Sequence, residues 1–301
     1  DDTISQFQNL IGSQYDDLLI GNEKDNYIGG GAGNDTLSGG NGSTYQGVDT
    51  IDGGAGDDYI IASGSPHIYY GGSGFDWLSY QNDTIGIQFS LQTQYDLIFS
   101  NVTGFEAIRG GDGNDTLTGD TEDNFLLGGK GNDLLDGGAG SDWVDYSDST
   151  VSSASVTVTL LNPTASGDAT GGSSSGSSGN DILVNIENIR GSAGNDVLNG
   201  NDRDNWLRGD LGNDKIDGGG GSDWADYKDA TATVTVDLSK GTASGADGND
   251  TLTNIENIRG GVGNDALTGN AADNIFIGGA GNDSMDGGTG IDIARYSGNR
   301  S

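Results

Sequence analysis

A nine-residue pattern, G-G-x-G-N-D-x-Φ-x with Φ apolar, recurs through the 301 residues of this chain. Gly128-Gly129-Lys130-Gly131-Asn132-Asp133-Leu134-Leu135-Asp136 is one copy, and Gly137 opens the next at once. The glycines permit positive φ and close backbone approach, so the first six residues can form a tight turn. The last three place one apolar side chain between two outward ones, which describes a short strand. Two copies make one flattened coil of 18 residues with a turn on each side, so residues 18 apart stack. Asp115 then lies over Asp133, Asn124 over Asp142, Asp196 over Asp214, Asn205 over Asp223, Asp265 over Asp283 and Asn274 over Asp292.

The copies fall into arrays. The first occupies 12–80, the second 110–146, the third 191–227 and the fourth 260–296. Insertions at 81–109, 147–190 and 228–259 separate them. Each insertion holds a period-2 apolar strand: Ile85-Ile87-Phe89-Leu91, Val156-Val158-Leu160 and Val234-Val236-Leu238. Each returns through a related segment containing Glu106/Arg109, Glu187/Arg190 or Glu256/Arg259. The second insertion also carries a Ser/Gly tract, Gly171 to Gly179, whose composition predicts a flexible loop. The first three arrays close on Trp77/Tyr80, Trp143/Tyr146 and Trp224/Tyr227, and the last on Ile293/Tyr296. No stretch has the pattern of an amphipathic helix.

Stacked carboxylates repel one another, and a cation between them reverses the sign. Calcium suits such a site, because it takes six to eight oxygens, carbonyls included, in flexible geometry. Zinc prefers His and Cys, and the chain has one His and no Cys. The nonapeptide resembles that of the RTX (repeats-in-toxin) family. The resemblance implies a right-handed parallel β-roll that binds calcium between successive turns, through the sixth-position aspartate and backbone carbonyls. Carried over by position, those aspartates are Asp17, Asp35, Asp58, Asp76, Asp115, Asp133, Asp142, Asp196, Asp214, Asp223, Asp265, Asp283 and Asp292. The implied load is about ten Ca2+ ions. Some positions depart from the pattern. Asn26, Asn124, Asn205 and Asn274 are neutral at the sixth step, so those rungs should bind weakly or borrow the preceding Asp. His67 stands where a carboxylate belongs and should empty its site, and the insertion Ser43–Gly47 puts Asp49 in doubt as a ligand.

Charge narrows the function further. With 12 Lys+Arg against 46 Asp+Glu, the net charge is −34. That argues against nucleic acid, whose phosphates select basic surfaces, and against an unassisted anionic membrane surface. Without calcium such a chain is expected to be a self-repelling coil. Neither a secretory leader nor an apolar run of about 20 residues is present, so no membrane insertion is expected. The chain begins at Asp1 and reads as a fragment.

The expected function is a calcium-binding structural module of a secreted or cell-surface protein. Serial arrays joined by patterned insertions suit an adhesin, matrix or surface-layer protein. One alternative is the secretion and folding module of a larger RTX exoenzyme or toxin. Others are glycan binding by the Trp/Tyr pairs and self-assembly of copies into a fibre. The resemblance implies export by type I secretion. No Ser-His-Asp or H-E-x-x-H constellation occurs, and no carboxylate pair stands apart from the ladder, so no catalysis is expected. The Trp/Tyr pairs are expected to pack inserted segments and the Glu-x-x-Arg pairs to form salt bridges.

Overall fold

The computed structural model describes residues 7–40, 47–62, 67–92, 95–96, 101–147, 155–162, 170–176, 179–245 and 247–296. Among them every regular element is a β-strand, most of only three residues. The chain divides into two compact units, residues 1–142 and 143–301.

In the first unit, strands alternate between two parallel sheets. One sheet takes Asn9–Ile11, Tyr27–Ala32, Thr50–Ala55 and Ile68–Ser73; the other takes Leu18–Ile20, Thr36–Ser38, Tyr59–Ile61 and Trp77–Ser79. Leu10 pairs with Ile28 and Ile60 with Leu78, the expected step of 18 residues. Across the insertion the step lengthens to 23, Ile28 to Ile51 and Leu37 to Ile60, yet the register holds. Most of that insertion, 41–46, lies outside the described residues. The apolar residue of each nonapeptide points inward: Ile28, Leu37, Ile60 and Leu78 are fully buried. Their neighbours on the strands are mostly more exposed, so each nine residues contribute chiefly one side chain to a thin core. The glycines at the second and fourth positions adopt the left-handed region, with φ of +112° at Gly31 and +115° at Gly33.

The second unit repeats this coil and shows what an insertion does. Lys215–Asp217 pairs in parallel with Gly248–Thr253, the third strand of the insertion. That strand pairs antiparallel with Thr242–Gly245, which pairs antiparallel with Val234–Asp237. Val234–Asp237 then pairs in parallel with Ala266–Thr268, the first strand of the next array. The insertion is thus a three-stranded meander laid into one sheet, its chain order reversed in space. The opposite sheet receives only the insertion's return strand, Asn257–Arg259, which pairs in parallel with Trp224–Asp226. The first unit uses the same plan, with Asn101–Thr103, Tyr95–Asp96 and Gln88–Ser90 lying between Ile68–Ser73 and Thr116–Thr118.

Two local expectations need correction. Ile85 is exposed, and the first insertion's strand starts at Gln88. The Ser/Gly tract contributes a strand, Thr170–Gly176, rather than a loop. It pairs antiparallel with Val156–Thr159 on one side and Ile182–Val184 on the other. Hydrogen bonds from two flanking strands satisfy its main chain, and this outweighs the weak strand preference of Gly and Ser. Residues 177–178 lie outside the described set.

Candidate metal centre

The sixth-position aspartates line the turns as ladders. Ten of the thirteen are buried: Asp35, Asp58, Asp76, Asp115, Asp133, Asp142, Asp196, Asp214, Asp223 and Asp265. Asp17, Asp283 and Asp292, on the outermost rungs, are half-buried. Each carboxylate reaches the coil before its own. Asp35 Oδ1 accepts the Asp17 amide, Asp58 Oδ1 that of Asp35 and Asp76 Oδ1 that of Asp58, all at 2.8 Å. The same bond joins Asp133 to Asp115, Asp142 to Asn124, Asp214 to Asp196 and Asp223 to Asn205, again at 2.8 Å. Asp283 and Asp292 accept from Asp265 and Asn274 at 3.0 and 2.9 Å.

The second oxygen divides these aspartates into classes that the sequence does not separate. On the first rung of an array it is capped by its own turn. Asp17 Oδ2 accepts the Ser13 amide at 2.6 Å, Asp115 that of Gly111 at 2.8 Å, Asp196 that of Ser192 at 2.6 Å and Asp265 that of Gly261 at 2.8 Å. On later rungs Oδ2 of Asp35, Asp58, Asp76, Asp214 and Asp223 is buried without a hydrogen-bond partner. An ionised oxygen in that state is costly unless a cation meets it.

The nonapeptide's first glycine makes room for this oxygen. A Cβ on Gly30 would lie 2.2 Å from Asp35 Oδ2 and 2.5 Å from the Gly53 carbonyl oxygen. On Gly53 it would lie 2.3 Å from Asp58 Oδ2 and 2.4 Å from the Gly71 oxygen. A bare backbone therefore faces a carboxylate oxygen and the carbonyl of the next coil together. These are hard oxygen donors of the kind calcium takes. Among the described residues no three His, Cys, Asp or Glu side chains converge on one point. A site here must mix carboxylates with carbonyls.

Electrostatics agree with the geometry. Burial pushes Asp214 up to about 8, Asp223 to about 7 and both Asp49 and Asp76 to about 6. Neighbouring carboxylates add to this, Asp250 at Asp214 and Glu256 at Asp223. Asp35, Asp58, Asp115 and Asp196 are also raised, burial being the main cause.

The neutral rungs use their side-chain oxygens within their own turns. Oδ1 of Asn26, Asn124, Asn205 and Asn274 accepts its own turn's amide at 2.7–2.9 Å. Nδ2 of Asn205 and Asn274 donates to the carbonyls of Glu187 and Glu256, each at 2.7 Å. An amide hydrogen thus joins two coils where a cation would otherwise be needed. The preceding aspartates belong to a second, exposed ladder of opposite sense. Asp123 Oδ1 accepts the Ser141 amide, and Asp204 that of Ser222, one coil later. Asp49 keeps its rung despite the insertion, accepting the Asn26 amide at 2.8 Å. Buried His67 likewise stands in line, its Nδ1 accepting the Asp49 amide at 3.0 Å.

The profile of the RTX calcium-binding nonapeptide repeat matches residues 11–45, 43–78, 109–144, 188–225 and 259–294. The chain belongs to the RTX calcium-binding repeat family. No curated protein matches it. The RTX roll is a calcium-binding module, and its nonapeptide is a structural rather than a catalytic element.

The remaining motifs serve the roll. Tyr146 and Tyr227, which close arrays, are buried and donate their hydroxyls to the insertion residues Asp181 and Asp250 at 3.0 and 2.9 Å. The Trp206 and Trp224 rings stack on each other at 4.3 Å, and Arg208 lies over Trp143 at 5.3 Å. One face of each of these rings is therefore engaged. Arg208 is buried and paired with Asp226 and Asp229, while Arg190 holds Asp210 at 2.8 Å. The members of each Glu-x-x-Arg pair have separate partners. Arg109 bonds Tyr59 and Gln81, Arg259 approaches Asp226 at 4.0 Å, and Glu187 pairs with Arg203 at 3.1 Å.

Proposed function

We propose that this RTX module is a folding switch in a secreted or cell-surface protein, set by extracellular calcium. The observation that carries the reading is the row of buried carboxylate oxygens without hydrogen-bond partners at Asp35, Asp58, Asp76, Asp214 and Asp223. In low calcium their charges oppose the coil. At millimolar calcium, cations bridge each of them to the next coil's carbonyls. Extracellular modules bind calcium with Kd of about 10⁻⁴ to 10⁻³ M, and a tenfold excess over Kd adds about 1.4 kcal/mol per site. Several such sites match the stability of an ordinary domain. An extended, unfolded chain in low calcium suits passage through a narrow exporter, which supports type I secretion. Repeated arrays tied together by insertions favour an adhesin, matrix or surface-layer scaffold.

The test is a calcium titration followed by far-UV circular dichroism, with magnesium as control. A cooperative gain of β signal near millimolar calcium, absent with magnesium, is expected. A β signal already complete in chelator would refute the switch.

A further inference from the structure

We propose that the insertions carry calcium half-sites of their own, built by Glu106 and Glu256, so that the ligand ladder continues through the seams between arrays. The inference rests on the calcium reading above and extends it to residues outside every nonapeptide.

Consider first what each nonapeptide offers the coil before it. It gives a carboxylate oxygen to the amide of that coil's sixth residue. It also presents a carbonyl over that coil's first glycine, as Gly53 does over Gly30 and Gly71 over Gly53. At the seams both parts persist without the nonapeptide. Glu106 Oε2 accepts the Asp76 amide at 2.8 Å, and Glu256 Oε2 accepts the Asp223 amide at 3.0 Å. The carbonyl comes from the residue two before each glutamate. A Cβ on Gly71 would lie 1.7 Å from Gly104 O, and one on Gly218 would lie 2.2 Å from Asn254 O. Gly104 and Asn254 hold positive φ, +72° and +49°, and the tight bend aims both groups the same way.

A difference in side-chain length fits this substitution. In a nonapeptide the carboxylate follows its carbonyl glycine by five residues, as Asp58 follows Gly53. At a seam only two residues separate them. The shorter turn is matched by glutamate, whose extra methylene extends its reach. The facing side of each seam is an aspartate whose second oxygen is uncapped: Asp76 and Asp223 are fully buried, and their Oδ2 atoms lack hydrogen-bond partners. Two carboxylates and a carbonyl therefore meet at each seam, as they do within an array. A cation there would tie the insertion's return to the array it leaves.

The test substitutes glutamine, which keeps the amide acceptor and removes only the charge. Glu106→Gln and Glu256→Gln, singly and together, are compared with wild type and with Asp58→Asn as an in-array control. Bound calcium is counted by equilibrium dialysis. Terbium, a luminescent calcium substitute, is excited through tryptophan, since Trp77 and Trp224 directly follow Asp76 and Asp223. Circular dichroism at saturating calcium checks folding, and the single variants stand alone should the double one not fold. One ion fewer per substituted glutamate, with weakened terbium emission, is expected. Unchanged stoichiometry and emission in the glutamine variants, with one ion lost in Asp58→Asn, would overturn the seam sites and leave the ladder intact. No loss in Asp58→Asn either would overturn both.

Discussion

Two glycines of one turn should respond in opposite directions to the same added methyl group. At Gly218 a Cβ would lie 2.2 Å from the Asn254 oxygen and 2.5 Å from Asp223 Oδ2. Neither neighbour can retreat cheaply, because the Gly218 amide also donates to the Thr253 carbonyl at 3.0 Å. Overpacking of this kind costs about 1–3 kcal/mol, and loss of one calcium at tenfold excess adds about 1.4 kcal/mol. Gly218→Ala should therefore lose about 2–4 kcal/mol, which lowers the melting temperature of a domain of this size by roughly 5–15 °C. At Gly220 the nearest atom, Asp202 Oδ1, is 3.4 Å from the same methyl group. Sister turns carry Ala139, Val262 and Ala280 at that step. Gly220→Ala should gain about 0.4–1 kcal/mol by restricting the unfolded chain. Thermal melts and calcium midpoints of both variants, in saturating calcium and in chelator, decide the matter. Equal melting temperatures, or a Gly218 variant with the wild-type midpoint, would refute the cradle geometry.

Two further outcomes follow from the same turns. The calcium-free folded state holds protons on Asp214, Asp223, Asp49 and Asp76 up to about pH 8, 7, 6 and 6, against 3.8 when unfolded. Folding raises these values, so their contribution is complete below pH 4 and is lost as pH rises through 6 to 8. Acid should thus partly replace calcium in chelator, and the calcium midpoint should rise as pH falls from 8 to 6; dichroism in chelator that is insensitive to pH would contradict this. Asn274→Asp removes the Nδ2 bond to the Glu256 carbonyl and adds a buried charge. It should cost about 1–3 kcal/mol in chelator, recovered in calcium with one more bound ion; equal losses in both conditions would count against the amide's role.

Much of this architecture is written at the scale of nine residues. Inward Leu and Ile, glycine turns and sixth-position aspartates recur at fixed spacing, so the coil, its register and its aspartate rows can be read directly. Distinctions between rungs are harder. Asp265 and Asp35 belong to the same G-G-x-G-N-D motif, yet Asp265 opens an array and has its Oδ2 capped by Gly261, whereas Asp35 Oδ2 is buried without a partner. The seams hide for a different reason. Glu106 follows Asp76 by 30 residues and Glu256 follows Asp223 by 33, and neither step is a multiple of nine. A motif that leaves the register gives no periodic signal, and glutamate followed by arginine three places later suggests a salt bridge. Composition misleads at Thr170–Gly176, where neighbouring strands supply the bonds that Ser and Gly do not favour alone.

The reversed meander of the second unit fixes what can be inherited as a piece. Val234–Asp237 precedes the strand Gly248–Thr253 in the chain but lies on the later array, while Gly248–Thr253 lies on the earlier one. The insertion thus gives its later strand to the earlier array and its first strand to the later one. Cutting at residue 228 strips Lys215–Asp217 of its cover, and cutting at 259 leaves Val234–Asp237 without Ala266–Thr268. Lengthening within an array needs only further coils, as residues 12–80 show, whereas a duplication that crosses a seam must carry the whole insertion, because a cut inside it leaves raw sheet edges open to stray pairing.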